Sequence, residues 1–263
     1  MTISIDPVLI RLSPLALSWY GLAVASATIA GVALALRLAR PLVIPRAELE
    51  RVAMWTVIGG LIGARLLHVI DRWELYAAAP IHVIAIWNGG LAIAGGVLGG
   101  TLAGGVAAWT HGLPVRALAD AVAPAAALGQ AIGRLGCLVT GDAVGRPTSG
   151  FGVTYTHPGA MVPELGVAYE PVFLYEMGWD LALFGALLAL RGRLRRGGLF
   201  ALYLGSYAVG KFAITSLRTE RLWVGDLQQA QLLAVAALLV ALGWAAWPAL
   251  ERAKRGTLAG ARQ

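Results

Sequence analysis

Seven long apolar stretches constrain the fold of this chain more than any other feature. Crossing the hydrocarbon core of a bilayer takes a helix of about 20 mostly apolar residues. A lipid-exposed segment must also satisfy its own backbone hydrogen bonds, which favours helices. The sequence therefore predicts an all-α polytopic membrane protein with seven transmembrane helices. The predicted spans are Ala16–Leu38, Val52–Ile70, Leu91–Trp109, Ala117–Val139, Pro171–Leu190, Leu199–Leu217 and Gln229–Leu250.

The composition excludes several functions. The chain of 263 residues is 58% hydrophobic and only 13% charged, which leaves too few polar groups to cover a soluble core. Its net charge of +7 does not indicate nucleic-acid binding, because the basic residues cluster between apolar stretches and form no face with aromatic residues. One cysteine allows no intrachain disulfide, and the four histidines lack metal-ligand spacing, so no metal or cofactor is expected.

The distribution of positive charge predicts the topology. Basic gaps follow the first, third, fifth and seventh spans, whereas the other gaps are mixed in sign. Because basic gaps stay in the cytoplasm, we expect an N-terminus outside and a cytoplasmic C-terminus. Residues 1–263 then form a single transmembrane domain, within which the loop 140–170 is a small extracytoplasmic cap of turns or short strands. The basic residues are Arg37, Arg40, Arg46, Arg51, Arg116, Arg191, Arg193, Arg195, Arg196, Arg252, Lys254 and Arg255.

Paired glycines mark the third predicted span. They recur about every four residues, which places a smooth stripe on one helix face and favours close contact with another helix. An alternative is that the outer end of the stripe leaves room for a ligand. The pairs are Gly89-Gly90, Gly95-Gly96, Gly99-Gly100 and Gly104-Gly105.

Charged residues inside the spans are the candidates for a site. Arg134 lies in an otherwise apolar span, four residues after Gln130, and a guanidinium at that depth costs at least ~3 kcal/mol without a partner. The sixth span carries a polar stripe that includes Lys211, and the second has Arg65 and His68 on one face near its outer end.

These cations have two interpretations. They could form a cavity for an anion, with a lipid phosphate as the most available candidate, since a guanidinium donates two parallel hydrogen bonds to phosphate. They could instead pair with Glu176, Asp180 or Asp142 and only stabilise the bundle. Flanking glycines favour the functional interpretation for Arg134, whereas both stay open for Arg65. The remaining polar group of this region, the Cys137 thiol, is expected to be a small packing residue in apolar surroundings.

Five stretches of the sequence together resemble the prolipoprotein diacylglyceryl transferase family, in the same order and over most of the length. The segment that begins at Arg134 and ends at Gly145-Arg146 is the most specific of them. The stretches are Asp6-Pro7-Val8 with Ser18-Trp19-Tyr20-Gly21-Leu22; Trp87-Asn88-Gly89-Gly90-Leu91-Ala92-Ile93-Ala94-Gly95-Gly96; Gly133-Arg134-Leu135-Gly136-Cys137 through Gly141-Asp142-Ala143-Val144-Gly145-Arg146; Pro171 with Leu174-Tyr175-Glu176; and Gly198-Leu199-Phe200 through Tyr207, Lys211 and Arg218.

The resemblance implies a bacterial inner-membrane enzyme. It would transfer diacylglycerol from phosphatidylglycerol to the lipobox cysteine of a preprolipoprotein, with membrane lipids as its surroundings. Arg134 occupies the position of the family's phosphatidylglycerol-binding arginine. We expect catalytic roles for Arg134, Lys211 and Asp142. Substrate binding is expected from Arg134, Tyr20, Gly145, Arg146, Arg65 and His68.

The chain departs from the family pattern at four positions. The family has histidine at Ala94, asparagine at Cys137, arginine at Lys211 and glutamate at Thr215. That histidine is often assigned the base role, and loss of a positioned acid–base group typically costs about 10²–10⁴-fold in rate. Replacement of the missing group is expected from His68, from Asp142, or from cation-assisted thiolate formation at Arg134 and Lys211.

Three functions fit the sequence. An active, divergent transferase is the leading hypothesis. A non-catalytic relative that binds phospholipid or a lipoprotein precursor is the alternative, because the four departures resemble the decay of an active site. A transporter is disfavoured, since the intramembrane charges crowd the predicted outer half.

Overall fold

A computed structural model describes residues 1–12, 15–86, 89–218 and 222–260. Trp87 and Asn88 of the third-span motif lie outside the described residues, as do the side chains of Arg252, Lys254 and Arg255. The α-helices are α1 Trp19–Ala39, α2 Arg46–Asp71, α3 Trp73–Ala78, α4 Ile93–Thr110, α5 Val115–Thr140, α6 Val172–Ala189, α7 Gly198–Thr215 and α8 Gln229–Gly260, with short 3-10 helices at Arg40–Leu42 and Pro80–Val83.

Within this described part of the chain, seven helices are long and apolar enough to cross a membrane: α1, α2 and α4 to α8. The prediction of an all-α fold with seven spans is therefore confirmed, whereas the orientation of the termini stays a prediction. The chain forms two compact units. The first comprises Met1–Pro7, Trp19–Gly31 and Ala119–Gln263, and the second comprises Val8–Ser18 and Val32–Leu118. The assignment of residues 1–263 to a single domain also stays a prediction.

The first and third predicted spans began too early. The first span was predicted from Ala16, but Leu15–Ser18 forms strand β3, which pairs antiparallel with β2 at Val8–Leu12. The third was predicted from Leu91, but α4 begins at Ile93. Its start is delayed because Gly89 and Gly90 adopt φ of +80° and +78°, and because the backbone N–H of Ala92 donates to Ala64 O of α2 at 2.9 Å.

Short strands occupy the loop 140–170 of the first unit. Strand β4 (Val153–Tyr155) pairs in parallel with β1 (Thr2–Ile3) and antiparallel with β5 (Ala168–Tyr169), so the N-terminus joins this sheet. Further along, β6 (Leu222–Val224) pairs with β7 (Leu227–Gln228) before α8. The small core under the β4 sheet includes Ile3, Cys137, Ala143, Val153, Tyr155 and Phe173.

Helices α2 and α4 of the second unit are in backbone contact through glycines. A Cβ atom on Gly95 would collide with the carbonyl oxygen of Gly63, and one on Gly99 with that of Gly59. These glycines serve helix packing, as the four-residue spacing predicted. At the start of the stripe, a Cβ on Gly90 would meet the imidazole of His68 at 2.6 Å, so this point is filled by a side chain of the protein.

Candidate active site

Three helices of the first unit bring buried and partly buried charges together. The carboxylate of Glu176 on α6 receives Arg134 Nη2 from α5 at 2.6 Å on Oε2, and Lys211 Nζ from α7 at 2.6 Å on Oε1. Asp180, one turn along α6, lines the same small cavity. We call Arg134, Glu176, Asp180 and Lys211 the charge cluster. The two cations that the sequence singled out therefore lie at one site.

Helical spacing explains why these residues meet. Glu176 and Asp180 are four residues apart, so both project from one face of α6. Tyr207 and Lys211 have the same spacing on α7. Close helix contact also contributes, because the indole of Trp179 lies against Gly210, where no side chain would fit. The Trp179 Nε1–H donates to the Ser206 carbonyl at 3.2 Å, which holds the indole there.

The cavity at the charge cluster is small. It offers about 10 Å³ to the centre of a water molecule, which is room for a single water. The Glu176 side chain is only 4% exposed, whereas those of Arg134 and Lys211 keep 20% and 14%. The cations are thus paired internally, as the structural interpretation held, and both still reach the surface of the unit. The lining of the cavity also includes Trp179, Tyr207, Gly210 and Ile214.

The segment from Arg134 to Arg146, which we call the signature segment, makes hydrogen bonds within itself and to Arg218. Arg134 Nη1 donates to the Cys137 sulfur at 3.8 Å, and Thr140 Oγ1 donates to Asp142 Oδ1 at 2.9 Å. Arg218 Nη2 donates to the backbone carbonyl of Asp142 at 3.0 Å. Cys137 is buried in the small core under the β4 sheet, in agreement with its interpretation as a packing residue.

Tyr155 and Tyr20 border this segment. The Tyr155 hydroxyl donates to Leu138 O at 2.9 Å, and burial, followed by the nearby negative charge of Asp142, raises the pKa of this phenol. Tyr20 packs on α5, where a Cβ on Gly136 would lie 2.9 Å from the Tyr20 ring carbon Cδ2. Asp142, Cys137 and Arg134 are its electrostatic neighbours. The predicted residue Tyr20 therefore stands beside the signature segment.

Gly145 and Arg146 have different surroundings. Gly145 donates its N–H to Glu170 O at 2.8 Å, and a Cβ there would meet Val172, Glu170 and the Leu217 carbonyl within 3.0 Å. It is a glycine because the chain is tightly packed at that point. Arg146 is exposed, and its Nη2 approaches the Ser216 carbonyl at 3.5 Å.

Arg65 of the second unit stabilises the backbone of the segment before α4. It is buried, and its guanidinium donates to five carbonyl oxygens in the segment that precedes α4. The ring centroid of Tyr76 lies 5.1 Å from Arg65 Cζ. His68 packs edge-on against Tyr76 and against Gly90. These contacts hold the entry to α4, and substrate binding by the two residues stays a prediction. The five carbonyls belong to His82, Val83, Ala85, Gly89 and Gly90.

The predicted list of site residues omitted Glu176 and Asp180. Their signal was present in the sequence, as two acidic residues four apart in an otherwise apolar span. Such residues are costly in a membrane and need partners. Only the folded chain reveals that Glu176 is the partner of both cations.

A model of the family described as prolipoprotein diacylglyceryl transferase matches residues 7–247. The chain belongs to this family. It is 39% identical over 251 residues to a phosphatidylglycerol–prolipoprotein diacylglyceryl transferase of Nostoc sp., covering 92% of this chain and 88% of that relative. Relatives of the same name from Synechococcus elongatus and Staphylococcus xylosus are 39% and 34% identical, covering 88% and 90% of this chain and 83% and 87% of theirs.

The family membership confirms the resemblance found in the sequence. Together with the seven apolar helices, it makes this chain a multi-pass membrane protein. Its position Ala94, where the resemblance implies a histidine, is exposed on α4 of the second unit.

Proposed function

We propose that this protein transfers a diacylglyceryl group from phosphatidylglycerol to the lipobox cysteine thiol of a preprolipoprotein, and so begins lipoprotein maturation. The observation that carries the proposal is the convergence of Arg134 and Lys211 on buried Glu176, in a member of a family of transferases. The non-catalytic alternative is not favoured, because relatives at 34–39% identity carry an enzyme name.

The reaction requires stabilisation of a departing anion. The thiolate sulfur attacks the carbon of the diacylglycerol moiety that bears the phosphate oxygen. The bond between this carbon and that oxygen breaks, and glycerol phosphate leaves with the bonding electrons. Donors that face the developing negative charge in a dry site lower this barrier most. Arg134 and Lys211 supply such donors, and their exposed fractions allow a headgroup to reach them.

The ion pairs with Glu176 prepare these cations for the headgroup. Two cations brought together from two apolar spans repel each other unless a carboxylate lies between them, and Glu176 occupies that place at 2.6 Å from each. A guanidinium has five N–H donors and an ammonium has three, so one shared carboxylate leaves capacity for a phosphate. Glu176 thus keeps Arg134 and Lys211 in position before the substrate binds.

Four of the other assigned residues, Tyr20, Asp142, Gly145 and Arg146, lie within or beside the signature segment of the first unit. Tyr20 and Asp142 lie next to Cys137, where they can orient the glycerol moiety of the headgroup. Gly145 and Arg146 follow Asp142 at the end of the same segment. Arg65 of the second unit holds the Gly89–Gly90 segment of that unit. We assign the protein to the bacterial inner membrane with its N-terminus outside. In that orientation the charge cluster lies in the outer half of the membrane.

Complementation tests this function. The gene is expressed in a bacterial strain depleted of its own diacylglyceryl transferase, and the cysteine of a reporter lipoprotein is analysed by mass spectrometry. We expect the mass of a diacylglyceryl thioether. An unmodified thiol despite stable membrane expression would overturn the assignment as an enzyme.

A further inference from the structure

Asp180 is a buried acid that the proposed transfer has not used. It is 2% exposed and lines the cavity of the charge cluster. Among the described residues of the cluster, both ion pairs end on Glu176 and neither ends on Asp180. The groups that act on Asp180 electrostatically are Arg134 of α5, Glu176 of α6, and Tyr203, Tyr207 and Lys211 of α7.

The charges of the cluster balance only without a ligand. Arg134 and Lys211 bring two positive charges, and Glu176 and Asp180 bring two negative charges when both are ionised. Nearby, the guanidinium of Arg218, which donates to the backbone carbonyl of Asp142, and the Asp142 carboxylate add one charge of each sign. A phosphodiester headgroup adds one negative charge, which a buried site neutralises by binding a proton.

The contacts of the two acids identify the proton acceptor. Protonation of Glu176 would weaken its ion pairs with Arg134 and Lys211, each at 2.6 Å. Asp180 can bind a proton without loss of either ion pair. From this geometry we infer that binding of a phosphodiester headgroup at Arg134 is coupled to the uptake of one proton by Asp180. The inference rests on the proposed function and makes Asp180 a positioning residue, because it acts on the lipid through the charge of the cluster.

Calorimetry of the full-length protein in detergent tests the coupling. Short-chain phosphatidylglycerol is titrated at neutral pH into the protein in two buffers of different ionisation enthalpy, and the difference in heat gives the proton count. We expect an uptake of up to one proton per lipid bound, because one added charge requires at most one neutralised acid. Asp180→Asn should bind lipid with almost no uptake, whereas the exposed control Asp71→Asn should behave like the wild type.

The outcomes separate this inference from the proposed function. Lipid binding without proton uptake in the wild type, or undiminished uptake by Asp180→Asn, overturns the coupling alone. A folded wild type that binds no phosphatidylglycerol overturns the proposed function as well.

Infrared difference spectra provide a test that needs no variant. Wild-type protein labelled with carboxyl-¹³C aspartate should gain a protonated-carboxyl band on lipid binding, at the frequency shifted by the label. A band that does not shift places the proton on a glutamate and overturns the inference, as does the absence of any new band.

Discussion

Glu176 is the residue on which the charge cluster depends. Its two oxygens receive cations from two other helices, and its side chain is almost fully buried. Removal of one partner from a buried ion pair leaves an uncompensated charge, which is far more costly than loss of an exposed pair. The stability of this part of the bundle should therefore be sensitive to a single atom change at Glu176.

Glu176→Gln should lower the free energy of unfolding by roughly 3–5 kcal/mol, because two cations then lack their shared carboxylate. Chemical denaturation in detergent measures this. The matched control is Glu50→Gln, whose pair with Arg46 is exposed and should contribute at most about 1 kcal/mol. Equal effects of the two substitutions would contradict a structural role for the buried pair.

Arg134→Ala should reduce the rate of reporter lipidation by about 10²–10³-fold, the usual effect of removing one donor to a developing oxyanion. Arg134→Lys keeps the charge but not the planar fork, so it should lie between alanine and the wild type. Mass spectrometry of the reporter over time gives both rates. Retention of the wild-type rate by Arg134→Ala at equal expression would refute the assigned role.

Ala94→His tests whether a base is missing. Ala94 is exposed on α4, so an imidazole fits there without displacing another side chain. We expect lipidation to rise by up to ~10²-fold, since a positioned acid–base group contributes about that much. An unchanged rate would argue against a simple missing base at this position.

The sequence predicted the buried cations but not their arrangement. Arg134 and Lys211 stood out because charge in an apolar span is costly. Their shared partner is on a third helix, and the pairing depends on how three helices are rotated against each other. Arg65 shows the same limit: its partners are backbone carbonyls, which no side-chain pattern in the sequence marks.

At the scale of elements, the interface between α2 and α4 is made of backbone. Gly99→Ala should lower stability by about 1–3 kcal/mol, because its Cβ would collide with Gly59 O and lie 2.9 Å from Gly63 Cα. Gly105→Ala, on the same helix with nothing within 4 Å, is the control and should be neutral or slightly stabilising. Thermal unfolding in detergent followed by circular dichroism compares them. If the two variants melt alike, the close contact is not required.

The number and approximate positions of the spans could be predicted, whereas their ends could not. Apolar composition determines that a segment crosses the membrane, and all seven crossings were recovered. Helix starts depend on local pairing: Ala16 is apolar but belongs to a hairpin strand, and Leu91 follows two glycines with positive φ. Hydropathy does not distinguish a strand at the edge of a span from the first turn of a helix.

At the scale of the whole molecule, the charge of the loops predicts which side each faces. Met161→Cys lies in the cap loop and is 67% exposed, and Arg193→Cys lies in the basic gap between α6 and α7. A membrane-impermeant maleimide should label the first variant in intact spheroplasts and the second only after lysis. The reverse pattern would mean that the N-terminus is cytoplasmic. The wild type, whose one cysteine is buried, supplies the background.

The burial of that one cysteine has a consequence for an enzyme that makes thioethers. An exposed thiol three residues from Arg134, the arginine that we propose binds the donor lipid, would be open to alkylation by the protein's own reaction. Cys137 is instead enclosed with Tyr155 and Phe173 in the small core under the β4 sheet. Burial in this core should therefore protect the protein from modifying its own thiol.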